Sequence, residues 1–348
     1  MAVDSGSGKT QGSELNWRYL IEEYKKPNLR RATGQILNTF IPYLALWTLM
    51  IFMVQLGYSY WFVLMLSIPA SLLLVRIFIF FHDCCHNSFF ASRRANRILG
   101  YVSGILTFTP YDDWRRSHGM HHATAQDLDR RGIGDIRTLT VEEYLTAPKL
   151  KRLAYRLSRN PFVLFGPGPL VHFLIRQRFP NKAARKRDRY SVVLTDLAIL
   201  AIIGGASLTI GLRTYLFIQL LIMEIAATIG LWLFYVQHQF EGVYWARHKN
   251  WDPLIVPFKG ASHYRLPRVL RWFTGNIGLH HAHHLRPLVP NYNLQRFHDS
   301  VPALQAVEPL TIRRSLKSLY LSLWDEQGQK MVSFLWIKRR LRQTESKR

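Results

Sequence analysis

The sequence predicts an all-α fold embedded in a membrane, with four transmembrane helices in two hairpins and a cytosolic helical cap beneath them. Three observations carry this prediction. Four apolar stretches are each near the roughly 20 residues that a helix needs to cross a bilayer. The two stretches of each pair are joined by a very short connection, and the basic residues are concentrated outside all four stretches. The average composition, 48% hydrophobic, hides this uneven distribution.

Each predicted hairpin consists of two apolar stretches and a turn. The predicted spans are residues 36–56 and 58–80, about Gly57, and residues 191–211 and 214–236, about Leu212 and Arg213. Around them, the sequence divides into an N-terminal tail and interfacial helix (1–35), a membrane domain (36–300) and a basic C-terminal segment (301–348). Two charges at membrane depth, Arg76 and Asp196, are expected either to pair or to reach water separately.

The charge distribution predicts the orientation of the chain. The 46 Lys and Arg exceed the 22 Asp and Glu by 24, and 44 of the basic residues lie in segments 1–35, 82–190 and 237–348. Basic residues next to spans favour the cytoplasmic side, so both termini and both long segments are expected to be cytoplasmic. Since topology accounts for the basic excess, and no basic and aromatic array typical of a nucleic-acid module is present, no nucleic-acid partner is expected.

Histidines recur at helical spacing in three short segments. The pattern HDCCH places two of them four residues apart, and HGMHH and HHAHH each place three at positions i, i+3 and i+4. On a helix these positions share one face, so the imidazoles of each segment converge on one point. The eight predicted metal ligands are His82, His86, His118, His121, His122, His280, His283 and His284.

The number of histidines and the neighbouring residues restrict the kind of metal site. Eight ligands exceed the needs of one tetrahedral zinc ion, which favours two metals. The sequence lacks HExxH and the ExxH pattern of soluble carboxylate di-iron bundles, and the two cysteines, Cys84 and Cys85, are adjacent and cannot form a CxxC pair. Imidazole suits iron, copper, zinc and nickel, so these patterns leave the metal open.

Further residues are candidates for the same site. His238 ends the fourth span at the level of His82 and is the best ninth ligand, with a helix-capping histidine as the alternative. Asp83 and Glu241 lie beside proposed ligands and are expected to accept the far N–H of an imidazole. Asn276 is expected either to hold a metal-bound water or to cap a helix, and His281 either to support the ligands or to pack.

The remaining histidines are expected to be structural, whereas the roles of three further carboxylates are left open. His172, His248, His263 and His298 are isolated in the sequence. Two roles are equally expected for three further carboxylates: to accept the far N–H of an imidazole, or to be solvated in loops. They are Asp127, Asp129 and Asp135.

With these motifs in order, the chain resembles the integral membrane fatty acid desaturases, and in particular their bacterial acyl-lipid and omega-6-like branch. The resemblance rests on the three histidine boxes, on FYVQHQFE at 234–241 and on GNIGLHHAHHL at 275–285, and it runs from about residue 35 to residue 300. It implies two iron ions, O2 as co-substrate, His238 as a ligand and a location in the bacterial inner membrane. Cys85 departs from the glycine or small polar residue of many relatives, which bears on the position of the new double bond.

The implied activity is insertion of a cis double bond into a long fatty acyl chain carried by a lipid, coenzyme A or acyl carrier protein. Removing two hydrogens from unactivated methylenes requires an oxidant stronger than any side chain. The sequence contains no haem-binding HPGG segment or cysteine cluster, so a separate donor such as a ferredoxin or cytochrome b5 is expected to supply electrons. Tyr111, Trp114 and Trp232 are candidates to line the acyl tunnel.

Three other functions compete with desaturation. A fatty acyl or lipid hydroxylase, ketolase or conjugase would share the same histidine boxes. A histidine-rich metal transporter would place its ligands within the spans, where these histidines instead lie at one edge. A membrane zinc hydrolase would require neither O2 nor a reductant.

Overall fold

The computed structural model describes residues 22–346, so most of the predicted tail at 1–35 lies outside the described part. Four long helices dominate it, and each is long and apolar enough to cross a membrane. They are α1 (Leu29–Gln55), α2 (Tyr60–Cys85), α9 (Lys186–Thr209) and α10 (Leu212–His238). The predicted helical membrane fold with four spans is confirmed.

The hairpin turns follow from local backbone chemistry. Gly57 and Gly211 adopt φ values of 73° and 85°, a region in which a side chain is strained, and so reverse the chain between paired helices. Asn28 and Ser59 cap α1 and α2, because each side chain accepts a hydrogen bond from a backbone N–H of the first turn. All four helices continue beyond the apolar stretches, and α2 and α10 thereby carry histidines out of the apolar layer.

The four long helices differ in how deeply they are packed. In the most apolar stretch of each helix, 56% of residues are buried in α2 and 39% in α10, against 17% in both α1 and α9. Leu74 and Ile77 of α2 pack with Ile218 and Ile222 of α10 in the main core. The inner pair, α2 and α10, is therefore held by packing on most sides. The outer helices, α1 and α9, present apolar side chains suited to lipid.

The two charges at membrane depth are separate. Arg76 is buried, donates to the Thr39 hydroxyl at 3.0 Å and stacks over the Trp272 ring. Asp196 instead pairs with Arg178. The pairing of Arg76 with Asp196, one of the two expectations, is therefore wrong, because each residue meets a partner from another segment first.

Shorter helices and turns fill the space between and below the spans. The helices before the third span are α3 (Arg93–Leu106), α4 (Tyr111–Thr124), α5 (Val141–Thr146), α6 (Lys149–Ser158), α7 (Pro161–Phe165) and α8 (Pro167–Leu170). Those after the fourth span are α11 (Arg268–Phe273), α12 (His280–Leu285), α13 (Asn291–Ser300), α14 (Pro302–Gln305), α15 (Ile312–Ser315) and α16 (Phe334–Glu345). Single 3₁₀ or π turns cover Val171–Ile175, Arg176–Arg178, His248–Asn250, Val256–Gly260 and Leu316–Tyr320.

Within residues 22–346, five very short strands join the C-terminal segment to the rest. They are β1 (Leu139–Thr140), β2 (His263–Arg265), β3 (Pro309–Thr311), β4 (Leu323–Asp325) and β5 (Lys330–Val332). β4 lies between β1, to which it is parallel, and β5, to which it is antiparallel, while β2 and β3 form a separate parallel pair. The chain beyond residue 300 is thus bound to the segments that follow the second and fourth spans.

Candidate metal centre

Four distant parts of the chain bring histidines to one place. HDCCH ends α2 and continues to His86, the residue that caps this helix, while HGMHH lies on α4. His238 is the last residue of α10, and HHAHH begins α12. Each segment is helical, so histidines three and four residues apart point in nearly the same direction. The structure brings all nine predicted histidines together beneath the inner pair of long helices.

The nine imidazoles form two groups. The first contains His82, His86, His118, His122 and His283, whose candidate ligand nitrogens all lie within 4.8 Å of one another. Within it, Nε2 of His118 lies 3.0 Å from Nε2 of His86 and 3.1 Å from Nε2 of His122. Five nitrogens thus surround one point.

The second group contains His121, His238, His280 and His284, again with ligand nitrogens within 4.8 Å of one another. Nε2 of His238 lies 3.1 Å from that of His121 and 3.0 Å from that of His280. The groups are adjacent, because the rings of His122 and His284 stack across them with centroids 4.3 Å apart. Two neighbouring sites, each made of imidazole nitrogens, result.

The outward nitrogens of three histidines are held by acceptors. Nδ1 of His82 lies 3.3 Å from the Asp83 carboxylate, Nδ1 of His121 contacts Asp135, and Nδ1 of His238 lies 3.1 Å from the Gly260 carbonyl. A carboxylate or carbonyl accepts a hydrogen bond, so each of these Nδ1 atoms carries the proton. The Nε2 atoms are then left with lone pairs that point inward.

This proton placement shows that the site fits a metal. Nε2 of His121 and Nε2 of His238 both present lone pairs, and they face each other at 3.1 Å. Two lone pairs at that distance repel unless a cation lies between the rings that carry them. Neutral imidazoles in such sets suit iron, copper, zinc and nickel. The chemistry of the ligand set therefore agrees with bound transition metals.

Burial favours the neutral form of six histidines of the site. Removal from water lowers the pKa of His86, His118 and His122 well below the usual range, and neighbouring imidazoles lower it further. The same two causes, in the same order, lower the pKa of His280, His283 and His284. Since only the neutral ring has a free lone pair, these histidines are ready to bind metal near neutral pH.

Comparison with known proteins agrees with this arrangement. The family model described as fatty acid desaturase matches residues 58–314, which include all nine histidines. The chain belongs to the fatty acid desaturase family. It is 46% identical to a fatty acid desaturase of Bacillus subtilis over 318 residues, which are 91% of this chain and 90% of that protein.

More distant members of the family are desaturases that act on acyl lipids. An sn-1 oleoyl-lipid 12-desaturase of Synechocystis is 26% identical over 66% of this chain and 65% of its own length. An sn-1 acyl-lipid omega-3 desaturase (ferredoxin) of Nostoc is 28% identical over 72% of this chain and 69% of its own length. The family is a group of oxidoreductases, and these relatives support fatty acyl desaturase activity for the present chain.

The candidate supporting residues of this desaturase occupy different environments. Asp83 contacts His82, as expected, and its second oxygen accepts hydrogen bonds from the backbone N and Nδ2 of Asn291. Asn276 donates to the carbonyl of Asn291, so it contacts this network rather than an imidazole. The structure corrects the expectation for Glu241, which is exposed and paired with Lys317, because the chain turns outward after α10 ends.

The three candidate tunnel residues pack in three ways. Trp114 stacks on the His118 ring with centroids 4.2 Å apart. Tyr111 is fully buried and donates from its hydroxyl to the Cys84 carbonyl, whereas Trp232 donates to the Tyr264 hydroxyl. Among them, Trp114 alone is in ring contact with a proposed ligand.

The sequence interpretation left one contributor to the site open and missed another. Asp135 contacts His121, and the carbonyl of Gly260 contacts His238. Asp135 reaches the site because Gly134 has φ 73° and lies so close to α4 that a Cβ atom there would be 2.7 Å from the Ser117 carbonyl. The pattern Gly-Ile-Gly-Asp at 132–135 is the signal that predicts such a close turn. A backbone carbonyl leaves no signal in the sequence.

The structure also corrects the interpretation of His281, His263 and His298. His281 lies on the opposite face of α12 from the two groups, where its ring contacts those of His263 and His298. It therefore does not support the nine histidines, and the other two are not isolated. These three residues form a third histidine cluster.

Proposed function

We propose that the nine histidines hold two iron ions and that the protein inserts a cis double bond into a long acyl chain of a membrane lipid, using O2 and electrons from a separate donor. The observation that carries this proposal is the pair of adjacent imidazole groups with inward lone pairs. Bound iron supplies the oxidising power that C–H cleavage at an unactivated methylene requires.

The first task of the chain is to orient the ligands. Asp83, Asp135 and the Gly260 carbonyl hold three Nδ1 protons outward and so fix which nitrogen of each ring faces the metals. Asp83 is itself held by Asn291, whose side-chain oxygen accepts from Gln35 of α1. The first span is thereby connected to the ligand His82 through a series of hydrogen bonds.

The second task is to exclude water. His121, His280 and His283 are each at most 2% exposed, so bulk water does not reach these rings. On one side, the stacked Trp114 ring covers His118. A dry, apolar surround suits an acyl chain and prevents side reactions of a strong oxidant.

The substrate class follows from the membrane helices and from the relatives. The names of two relatives specify acyl lipids. In this chain, a cavity of about 800 Å³ is lined by Arg131, Arg137, Lys151 and Arg159 together with Glu143, and it extends to Ile136. Ile136 also lines the small space beside His121 and His238. The basic lining suits the phosphate of a lipid headgroup.

Electrons are proposed to arrive from an acidic ferredoxin or a cytochrome. One relative carries ferredoxin in its name. The basic residues of the present chain are concentrated in the segments that surround the histidine groups, and a positive face of this kind attracts an acidic donor. By the same charge rule we place these segments, both termini and the metal centre on the cytoplasmic side of a bacterial inner membrane.

The deciding experiment is a fatty acid analysis. The full chain is produced in a bacterial host with a ferredoxin and its reductase, and the lipids are analysed by gas chromatography and mass spectrometry. We expect new cis-unsaturated acyl chains that require O2 and that are absent with His284→Ala. Hydroxylated or keto acyl chains without new double bonds would assign the protein to the alternative chemistry.

A separate experiment tests the orientation. A fluorescent protein fused to the C-terminus is expected to fold and fluoresce, whereas periplasmic alkaline phosphatase in the same position is expected to stay inactive. The opposite pair of results would place the centre on the other side of the membrane.

A further inference from the structure

Three histidines outside the nine form a cluster of their own. His263 lies on β2, His281 on α12 and His298 on α13. Their ring centroids are 4.8 to 5.2 Å apart, and one nitrogen from each ring lies within 4.8 Å of the others. We call these residues the rear cluster, because His281 faces away from the nine histidines on the short helix that carries three of them.

The rear cluster contains buried nitrogens that make no hydrogen bond of normal geometry. His281 is fully buried, and its ring lies near the carbonyls of Ser262 and Leu304 without making a hydrogen bond of normal geometry to either. Nδ1 of His263 and Nε2 of His298 likewise make none within residues 22–346, although the Val307 carbonyl lies near the His263 ring. Buried polar atoms are normally paired, because leaving one unpaired forfeits its interaction with water. Three imidazoles whose buried nitrogens are poorly paired and close to one another therefore offer a set of metal ligands.

One ring of the cluster is already oriented for metal binding. Nδ1 of His298 lies 3.1 Å from the Asp299 carboxylate, which fixes the proton on Nδ1 and leaves the lone pair on Nε2. Metal-binding histidines commonly carry such a carboxylate on the far nitrogen. This assignment leaves Nε2 of His298, which makes no hydrogen bond within residues 22–346, as the free lone pair of that ring.

We propose that His263, His281 and His298 bind a single divalent cation of the zinc type, as a third metal site distinct from the nine-histidine centre. Three neutral imidazoles and a water molecule make up a common tetrahedral set. In a tetrahedral site with metal–nitrogen bonds near 2.0 Å, the ligand nitrogens lie roughly 3.3 Å from one another. Small rotations of the three rings would bring their nitrogens from the observed separations to this distance. His263 is partly exposed and provides the route of entry.

The position of the cation defines its role. It joins β2, α12 and α13, and α12 presents His280, His283 and His284 to the nine-histidine centre. Because α12 has only six residues, its own hydrogen bonds hold its rotation about the helix axis weakly. A cation bound to His281 fixes that rotation from behind and so positions three proposed ligands.

The test compares metal contents of the purified full-length protein. After exposure to zinc and removal of free metal, we expect the wild type to contain about one zinc ion per chain. In His263→Ala and in His298→Ala the zinc content should be lower by about 10-fold or more, with the iron content unchanged. His298→Cys supplies another zinc ligand and is expected to retain the metal. The control is His248→Ala, which removes an exposed histidine paired with Asp127.

Two further measurements separate the rear cluster from the nine-histidine centre. His284→Ala, which lowers the iron content, is expected to keep its zinc, and zinc X-ray absorption should show three imidazole nitrogens. Asp299→Asn is expected to weaken zinc binding by about 10–100-fold while all three imidazoles remain. Zinc that persists in His263→Ala, that leaves with the iron in His284→Ala, or that never binds the wild-type protein would overturn the proposal.

Discussion

The two faces of α12 meet histidine clusters of different construction. On the face that we call the front, His280, His283 and His284 join the six other histidines of the metal centre. Neighbouring Nε2 atoms of this centre lie 3.0 to 3.1 Å apart. On the rear face, His281 meets two histidines whose ligand nitrogens are within 4.8 Å but form no hydrogen bond with one another. Burial is common to both clusters, so burial alone does not define the site of chemistry.

The clusters differ chiefly in their outer hydrogen bonds. Asp83, Asp135 and Gly260 each hold a front histidine, and two of these three partners come from segments outside the helices that carry the ligands. In the rear cluster such a carboxylate is provided by Asp299, the immediate neighbour of His298, while the carbonyls of Ser262, Leu304 and Val307 lie near the other two rings without hydrogen bonds of normal geometry. A site whose ligands are fixed by several elements can hold its geometry through a reaction, whereas the rear cluster is suited to binding a cation that remains in place.

The largest expected effect is the loss of a front ligand. His284→Ala removes a nitrogen of the second group, and desaturation in the expressing host should fall by more than the ~10–100-fold that loss of an outer partner costs. Iron content of the purified variant should fall with it. His172→Ala, an exposed histidine that contacts Gln177, is the matched control and should retain both. Full activity of His284→Ala would remove this residue from the centre.

The next largest effect is expected when a carboxylate that holds the far nitrogen of a ligand histidine is replaced. Asp135→Asn keeps the size of the side chain but weakens the hold on the His121 proton, so activity and iron affinity should decrease about 10–100-fold. The comparison is with Asp129→Asn, which affects an exposed carboxylate paired with Arg247 and should change neither quantity. Equal behaviour of the two variants would mean that the contact with His121 is only structural.

A smaller effect is expected on the stability of the fold when His281 of the rear cluster is replaced, and its sign should depend on whether zinc is bound. In zinc-free protein, His281→Leu removes a buried imidazole that makes no hydrogen bond of normal geometry and should stabilise the fold by about 1 kcal/mol. With zinc present, the wild type gains stability from binding, about 2.7 kcal/mol at 100 times the Kd, and the variant does not. Thermal unfolding in detergent, with and without zinc, should therefore reverse the order of the two proteins. If zinc leaves the order of stability unchanged, His281 does not bind it.

The smallest effect is expected at a carboxylate that the sequence placed near the site. Glu241→Gln removes an exposed ion pair with Lys317, and such pairs contribute little in water. Product formation and iron content should equal those of the wild type. A marked loss of iron in this variant would show that Glu241 moves toward the nine histidines in the working enzyme.

Much of the nine-histidine centre is predictable from the sequence, because its histidines are spaced for one helical face. His118, His121 and His122 show this on α4, where three and four residues separate the rings. Asp135 could not be predicted in the same way. Its contact with His121 depends on a turn at Gly134 and on the close approach of that turn to α4. The interpretation of His263 and His298 as isolated failed for a related reason, since 35 positions separate them in the chain.

The sequence by itself determined the four apolar spans and the three histidine segments, since hydropathy and helical periodicity are properties of local stretches. Only the tertiary structure decided how nine imidazoles divide into two groups, which carboxylates hold them, and that His281 faces a different cluster. These features depend on which helix packs beside which, and that packing is set by contacts between residues far apart in the chain.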